Sequence, residues 1–265
     1  MLATHGGQIL SGGTDFFPAL GDRPVPGSVI DISDLTEIKG ITVASDYVRI
    51  GGLTTWSGVM ATPLPRCFEA LKSAAREIGG IQIQNRATVA GNLCNASPAA
   101  DSVPPLLALD AEMELVSAAG VRRVPLADFI VGNRKTLRRP DEILASVIVP
   151  RKLDDAVSAF FKLGARCYLV ISIAMVAALV KTDSAGLVAE ARVAVGACSA
   201  TAQRLIALER ALVGTPARVG LGATASSQHL KLLSPIDDVR ATAAYRDDAA
   251  LTLVERALDA CVGSG

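Results

Sequence analysis

Apolar and polar positions along this chain change period several times, and each change predicts an element. Gln8–Leu10 is a short apolar run that stops at Ser11-Gly12-Gly13-Thr14-Asp15. Ser28–Ile32 and Tyr47–Ile50 are rich in β-branched residues or alternate, as strands do. Thr54 or Thr55 caps a helix running through Met60. Between Pro65 and Ile78, the apolar residues Phe68, Leu71, Ala75 and Ile78 fall at helical spacing and end at Gly79-Gly80, a helix with a glycine exit. Pro104–Leu109 reads as a short helical piece. Ala111–Ser117 alternates and turns at Gly120 into Arg122–Leu126, a hairpin. Val147–Pro150 is a strand, and Pro150 with Lys152-Leu153-Asp154-Asp155 marks a domain boundary, giving units 1–153 and 154–265. Beyond it Ser172–Lys181 and Leu187–Gly196 are β-rich runs joined by Thr182-Asp183-Ser184-Ala185-Gly186, a second hairpin. Thr201–Val213 and Ala249–Val262 carry helical periodicity. Strands followed by helices predict an α+β unit packed on the larger first one.

Two stretches fit neither period. The first is the bend Ser11 to Asp15. The second, residues 87–101, gathers Gly91, Asn92, Asn95, Ser97 and Asp101, and it is expected to be a loop. Glycines and short polar side chains expose backbone N–H groups and allow close approach, which suits phosphates and sugar hydroxyls. Asn92 and Asn95 both donate and accept, and Asp101 is an acceptor suited to ribose hydroxyls. Together the two bends fit a polyphosphate ligand clasped from both sides. Plainer readings stand beside this one: a strand-to-helix turn for the first, and a structural Ω-loop stiffened by Pro98, Pro104 and Pro105 for the second. Neither a Gly-x-Gly-x-x-Gly fingerprint nor a P-loop occurs. Arg134, Lys135, Arg138 and Arg139 read as a solvated charged loop and Lys162 as a strand-end lysine, although a cation beside a flavin would favour its reduced anion.

Composition narrows the function classes. The 265 residues are half apolar but only 4% aromatic, with 26 basic and 26 acidic side chains. No basic block is present, which argues against a nucleic-acid partner. The longest apolar run, from Tyr168 to Val180, is interrupted by Ser172 and is too short to span a bilayer. Five scattered cysteines without a Cys-x-x-Cys pair suit a reducing cytoplasm. With His5 and His229 the only histidines, both expected at the surface, no zinc or iron–sulfur ligand set and no nucleophilic triad can be assembled on this chain. Cys94 is expected to be a small apolar filler.

Four segments carry a family resemblance. They are Ser-Gly-Gly-Thr-Asp-Phe-Phe-Pro (11–18), Gln-Asn-Arg-Ala-Thr-Val-Ala-Gly-Asn-Leu (84–93), the run from Ala96 to Ala111, and Gly-Asn-Arg-Lys-Thr-Leu-Arg-Arg-Pro-Asp-Glu-Ile-Leu (132–144). They resemble the FAD-binding medium subunit of the molybdenum hydroxylases, a likeness that continues through Phe161–Arg166, Pro235–Arg240 and Ala244-Tyr245-Arg246. The resemblance implies an α+β fold: an FAD-binding domain of the PCMH/vanillyl-alcohol-oxidase type in two α/β lobes, then a small C-terminal α+β domain. It implies that Ser11, Gly12, Gly13, Thr14 and Asp15 wrap the FAD pyrophosphate, with Thr88, Gly91 and Asn92 opposite. Asn95 and Asp101 would hold the ribityl and ribose region, Leu144 would pack on the adenosine portion, and Lys162 and Arg134 would lie near the flavin. No residue of this chain is expected to be catalytic or to bind a metal. The implied activity is an electron relay within a heterotrimer. A molybdenum-cofactor large subunit oxidises the substrate, a [2Fe–2S] small subunit passes the electrons on, and this chain's FAD delivers them to NAD⁺ or another acceptor. A stand-alone FAD oxidoreductase and a flavin-free scaffold are the alternatives. In that family a further strand and helix precede the first glycine bend, so a short first lobe is expected here. No cysteine-rich insertion occurs, so no [4Fe–4S] cluster is expected.

Overall fold

The computed structural model describes Leu2 and residues 6–25 and 27–263; His5 lies outside the described residues. The chain enters through β1 (Gln8–Leu10), bends at 11–15 into α1 (Phe16–Leu20), and returns in β2 (Val29–Asp31), which pairs parallel with β1. A parallel pair needs a crossover, and the bend and α1 supply it.

Next come β3 (Ile41–Val43), β4 (Tyr47–Gly51) and a helical stretch: α2 (Trp56–Ala61), α3 (Glu69–Glu77), α4 (Ile81–Gln84), α5 (Val89–Asn95) and α6 (Val103–Ala108). A hairpin of β5 (Glu112–Ser117) and β6 (Gly120–Pro125) follows, then α7 (Leu126–Phe129) and a small pair, β7 (Ile130–Gly132) with β8 (Lys135–Thr136). The long β9 (Ile143–Pro150) comes last. Strands β3-β4-β9-β5-β6 form one antiparallel sheet with β9 at its centre. Centrality explains the near-continuous apolar sequence of β9: Leu144, Val147 and Val149 are buried on one side, and Ala145 and Ile148 on the other. Trp56, Phe68, Leu71, Leu93, Leu106 and Met113 fill the core against it.

A second antiparallel sheet, ordered β10-β11-β12-β13, comprises β10 (Val157–Leu163), β11 (Ala174–Thr182), β12 (Val188–Gly196) and β13 (Gln203–Arg204). The helices α8 (Ile206–Leu212) and α9 (Ala243–Val262) complete it. One face of β11, with Val176, Ala178 and Val180, packs on Leu253, Val254, Ala257 and Cys261 of α9. The opposite face sends Leu179, with Ala194 of β12, into the first core. Strand β11 is therefore covered on both sides, and that is why its sequence is one apolar run rather than an alternation. Asp110 ties the two cores together across their boundary. It accepts from Arg204 Nη1 at 2.7 Å and pairs with Lys152 Nζ at 2.8 Å.

Several elements depart from the sequence expectations. Residues 87–101 are not a loop throughout, because α5 occupies Val89–Asn95 with Thr88 as its N-cap. Val89, Ala90 and Leu93 form its buried face, and Asn92 and Asn95 stand one turn apart on the other. The helix expected from Thr201 begins only at Ile206, because Gln203 and Arg204 pair with Val195 and Ala194 as an edge strand. The last helix starts earlier than its periodicity showed, at Ala243, capped by the Thr242 hydroxyl. His229 is not a free surface side chain: its Nδ1 accepts from the Ser226 amide at 3.1 Å, closing a capping box. Among the described residues, no helix is long and apolar enough to cross a membrane.

Candidate functional site

Where β1 ends, the 11–15 bend is pressed directly against the chain entering α5. Gly12 has no room for a side chain, since a Cβ there would lie 2.1 Å from the Arg86 carbonyl oxygen. Gly91 is similarly confined, with a would-be Cβ 2.8 Å from Thr88 Oγ1 and 3.2 Å from Ser11 Oγ. The Thr88 hydroxyl links the two bends. It accepts from the Gly91 amide at 3.1 Å and shares a 3.1 Å hydrogen bond with Ser11 Oγ. Gly13 sits at φ +75°, a left-handed conformation that glycine adopts without the Cβ penalty.

Between these bends and the β7–β8 hairpin lies a cavity of about 590 Å³. Its walls include Ser11, Gly12, Gly13, Thr14, Asp15, Thr88, Gly91, Asn92, Asn95, Arg134 and Leu144. Eleven of the thirteen residues named from the sequence thus meet in one place.

The two sides of the cavity differ in chemistry. Among the described residues, the amides of Gly12, Gly13, Thr14 and Asp15 donate to no protein acceptor. Across from them, the α5 amides are all engaged. Val89 donates to Thr54 O and Ala90 to Gly52 O, both at 2.9 Å; Gly91 donates to Thr88 Oγ1 at 3.1 Å and Asn92 to Thr88 O at 3.0 Å. The idea that both bends present main-chain amides therefore holds for the first alone; the second contributes side chains. Asn92 Oδ1 accepts from Ser102 Oγ at 2.6 Å, and Asn95 Oδ1 accepts from Arg134 Nη1. Arg134 stands at φ +58° and its amide donates to Ala96 O at 2.9 Å, which fixes the hairpin tip on the end of α5.

Asp101 and Lys162 are not in the cavity wall. Asp101 Oδ2 pairs with Lys162 Nζ at 2.7 Å, and both side chains are only 6% exposed. Ser172 Oγ donates to Asp101 Oδ1 at 2.5 Å, and Lys162 Nζ also reaches the Glu77 carbonyl at 3.4 Å. Burial pushes the Asp101 carboxyl above the usual carboxylate range, against the pull of Lys162. These residues satisfy one another and join the start of α6 to β10.

Sequence reasoning missed other wall residues, chiefly Arg138, Thr136, Ile78, Ile83 and Leu53. Arg138, expected to be a solvated cation, lines the cavity instead. It donates through Nη1 to the Glu142 carbonyl at 2.7 Å, and, like Arg134, it has no carboxylate partner among the described residues. The signal was its place in the 132–144 segment beside Arg134. Cys94 also lines the cavity, and burial pushes its thiol up to about 11, so it stays protonated and unreactive.

Comparison with known proteins places this geometry. Residues 2–152 match the family model described as the FAD binding domain in molybdopterin dehydrogenase, and residues 159–261 match the CO dehydrogenase flavoprotein C-terminal domain. The chain belongs to the FAD-binding medium subunits of the molybdenum hydroxylase family. A putative xanthine dehydrogenase FAD-binding subunit of Escherichia coli is 34% identical over 97% of this chain and 89% of its own length. The nicotinate dehydrogenase FAD-subunit of Eubacterium barkeri is 36% identical over 78% of this chain and 72% of its own. Among solved structures, carbon monoxide dehydrogenase from Hydrogenophaga pseudoflava superposes with a TM-score of 0.88 at 28% identity, covering 98% of this chain and 91% of that one. Quinoline 2-oxidoreductase from Pseudomonas putida gives 0.90 at 25% identity, covering 99% and 92%. The fold is therefore the family's, an FAD-binding domain followed by the flavoprotein C-terminal domain, and the chain is an FAD-dependent oxidoreductase subunit.

Proposed function

We propose that this medium subunit relays electrons within a three-subunit molybdenum hydroxylase. It takes them from a [2Fe–2S] small subunit supplied by a molybdenum-cofactor large subunit, and it passes them through FAD to NAD⁺ or another acceptor. The observation that carries this reading is the electrostatic character of the cavity. Among the described residues, four main-chain amides without acceptors and two guanidiniums without carboxylate partners line it. Such a lining stabilises an anion and fits the diphosphate of FAD.

In this reading Gly12, Gly13, Thr14 and Asp15 donate amides to the diphosphate. Ser11, Thr88 and Gly91 hold the two bends at the spacing the ligand needs. The free amide ends of Asn92 and Asn95 face sugar or ribityl hydroxyls, Leu144 offers an apolar contact, and Arg134 contributes charge. Asp101 and Lys162 act behind the wall as a buried brace rather than as direct ligands. Bound flavin supplies the conversion of one-electron input into two-electron output. The protein's part is to bind, orient and shield it.

The chain would divide at residues 153 and 154 into FAD-binding and C-terminal units, a division supported by the two hydrophobic cores and by the gap between the two family matches. Cytoplasmic residence fits the five cysteines, none of which is in a disulfide. Purification tests the proposal. The expected product is yellow, with a flavin spectrum, and co-purifies with an iron–sulfur and a molybdenum subunit. A colourless chain that binds no added FAD overturns the cofactor assignment. A flavoprotein that oxidises a small organic substrate without partners overturns the relay.

A further inference from the structure

The two guanidiniums of the cavity wall belong to a segment with little regular structure, residues 133–142, so something must hold them there. Its tip is fixed by the Arg134 amide on Ala96 O. Its return is fixed by Glu142, only 2% exposed overall. The Glu142 carboxylate takes Arg122 in a two-pronged grip, Nε to Oε1 at 2.6 Å and Nη2 to Oε2 at 2.9 Å. The Arg139 amide donates to Oε2 as well, at 2.7 Å. Arg122 Nη2 reaches further, to the Leu137 carbonyl at 2.8 Å. Arg138 Nη1 meanwhile donates to the main-chain carbonyls of Glu142 and Arg139 at 2.7 and 3.0 Å. Strand β6 thus grips the segment on both sides of Arg138, directly at the Leu137 carbonyl through Arg122 and at the Arg139 amide through the Glu142 carboxylate that Arg122 holds. Hydrogen bonds from Arg122 hold that carboxyl below its ordinary range, so it remains an anion that can accept all of these donors.

We propose that Glu142 is a positioning residue for FAD binding: its grip on Arg122 holds Arg138 in the cavity wall, where the guanidinium meets the anionic cofactor. The inference rests on the FAD reading above and deepens it. Among the described residues the Arg138 guanidinium leans on the main-chain carbonyls of the clamped segment and on no carboxylate, so its place follows the place of that main chain. Arg138 takes no part in the Arg122–Glu142 carboxylate pair and its guanidinium bonds only to the Glu142 and Arg139 carbonyls, so its replacement removes the cation while leaving that pair in place.

The test is a double-mutant cycle on FAD dissociation constants, measured by flavin fluorescence with purified protein stripped of flavin. Glu142→Gln keeps the shape but removes the charge and misplaces a donor against Arg122, and Arg138→Gln removes the cation. Each variant is expected to weaken FAD binding about tenfold, and the double variant to weaken it little more than either alone, because coupled residues do not add. Arg122→Lys, which keeps charge but loses the two-pronged grip, is the second entry to the clamp should Glu142→Gln not fold, and it is expected to show the same coupling to Arg138→Gln. Additive losses, or unchanged FAD affinity in a folded Glu142→Gln or Arg122→Lys protein, overturn the positioning role while leaving the FAD reading intact. Failure of the unaltered protein to bind FAD overturns the FAD reading itself.

Discussion

The bend at residues 11–15 and the turn-and-helix at 88–101 have similar sequences and opposite fates. Both contain glycine, serine, threonine and aspartate, and the second adds two asparagines among its alanines. In the first, four consecutive amides find no acceptor among the described residues. In the second, the N-cap hydroxyl of Thr88, the carbonyls of Thr54 and Gly52, and the pairs Asn92–Ser102 and Asp101–Lys162 satisfy nearly everything that the sequence offers. A segment that crosses a parallel strand pair at the surface leaves its donors free. A segment that starts a helix against a sheet must satisfy its own, because a buried polar group without a partner costs about 1–3 kcal/mol. Composition marked both as polar bends; burial decided which one keeps donors for a ligand.

Replacing Lys162 with Met should give the largest effect. It leaves Asp101 buried beside an apolar chain, and the expected loss of about 3–5 kcal/mol in unfolding free energy is measurable by urea denaturation. If stability held and only flavin content fell, Lys162 would belong with the first bend as a ligand contact, and the contrast would break. Gly13→Val inverts the pattern. A β-branched residue at φ +75°, with its Cβ directed 2.7 Å from the Phe17 ring, should abolish FAD binding at a strain of about 1–2 kcal/mol, leaving far-ultraviolet circular dichroism unchanged. Native-like flavin content in that variant would count against the 11–15 assignment.

Thr88→Val removes both the cap of α5 and the link to Ser11. It should cost about 1 kcal/mol of stability and weaken FAD binding together, since this hydroxyl both caps α5 and bonds to Ser11 in the first bend. An effect on one property without the other would show that the two bends are not held through it. The smallest effect concerns acid. The Arg240 amide, with Arg246 and other donors, pulls the Asp238 carboxyl down to about 2. A folded-state pKa below the unfolded one contributes stability above the unfolded value, and that contribution is lost as pH falls from about 4 towards 2. Asp238→Asn should flatten that part of the acid-unfolding curve, followed by tryptophan fluorescence, without altering flavin release. A change in flavin release would mean that the C-terminal contacts reach the cavity.

Much of the fold was legible because its periods are local. The β5–β6 hairpin shows the inward pair Met113 and Leu115 in alternation, and α3 shows Leu71 and Ala75 at helical spacing. Strand β10 is marked in the sequence only by Lys162 as a strand-end lysine; its extent does not show, because all seven of its residues are half-buried and neither face of its sequence stands out. Helix α5 looks like a loop in the sequence because Gly91, Asn92 and Asn95 mask the stripe of Val89, Ala90 and Leu93, although Thr88 before an apolar run is the available signal. In the site, the glycine and asparagine positions were found and Arg138 was passed over, since an arginine in a charged run looks the same whether it faces water or a cavity.

The sequence by itself determined the α+β class, the two polar bends and the family they resemble, because each depends on residue types at fixed short spacings. The tertiary structure alone decided that Asp101 turns inward to Lys162, that the α5 amides are occupied, and that a buried glutamate on one segment holds an arginine at the cavity wall. Those outcomes depend on which donor meets which acceptor across distances the chain covers only by folding, and a hydrogen bond between residues far apart in sequence leaves no period to read.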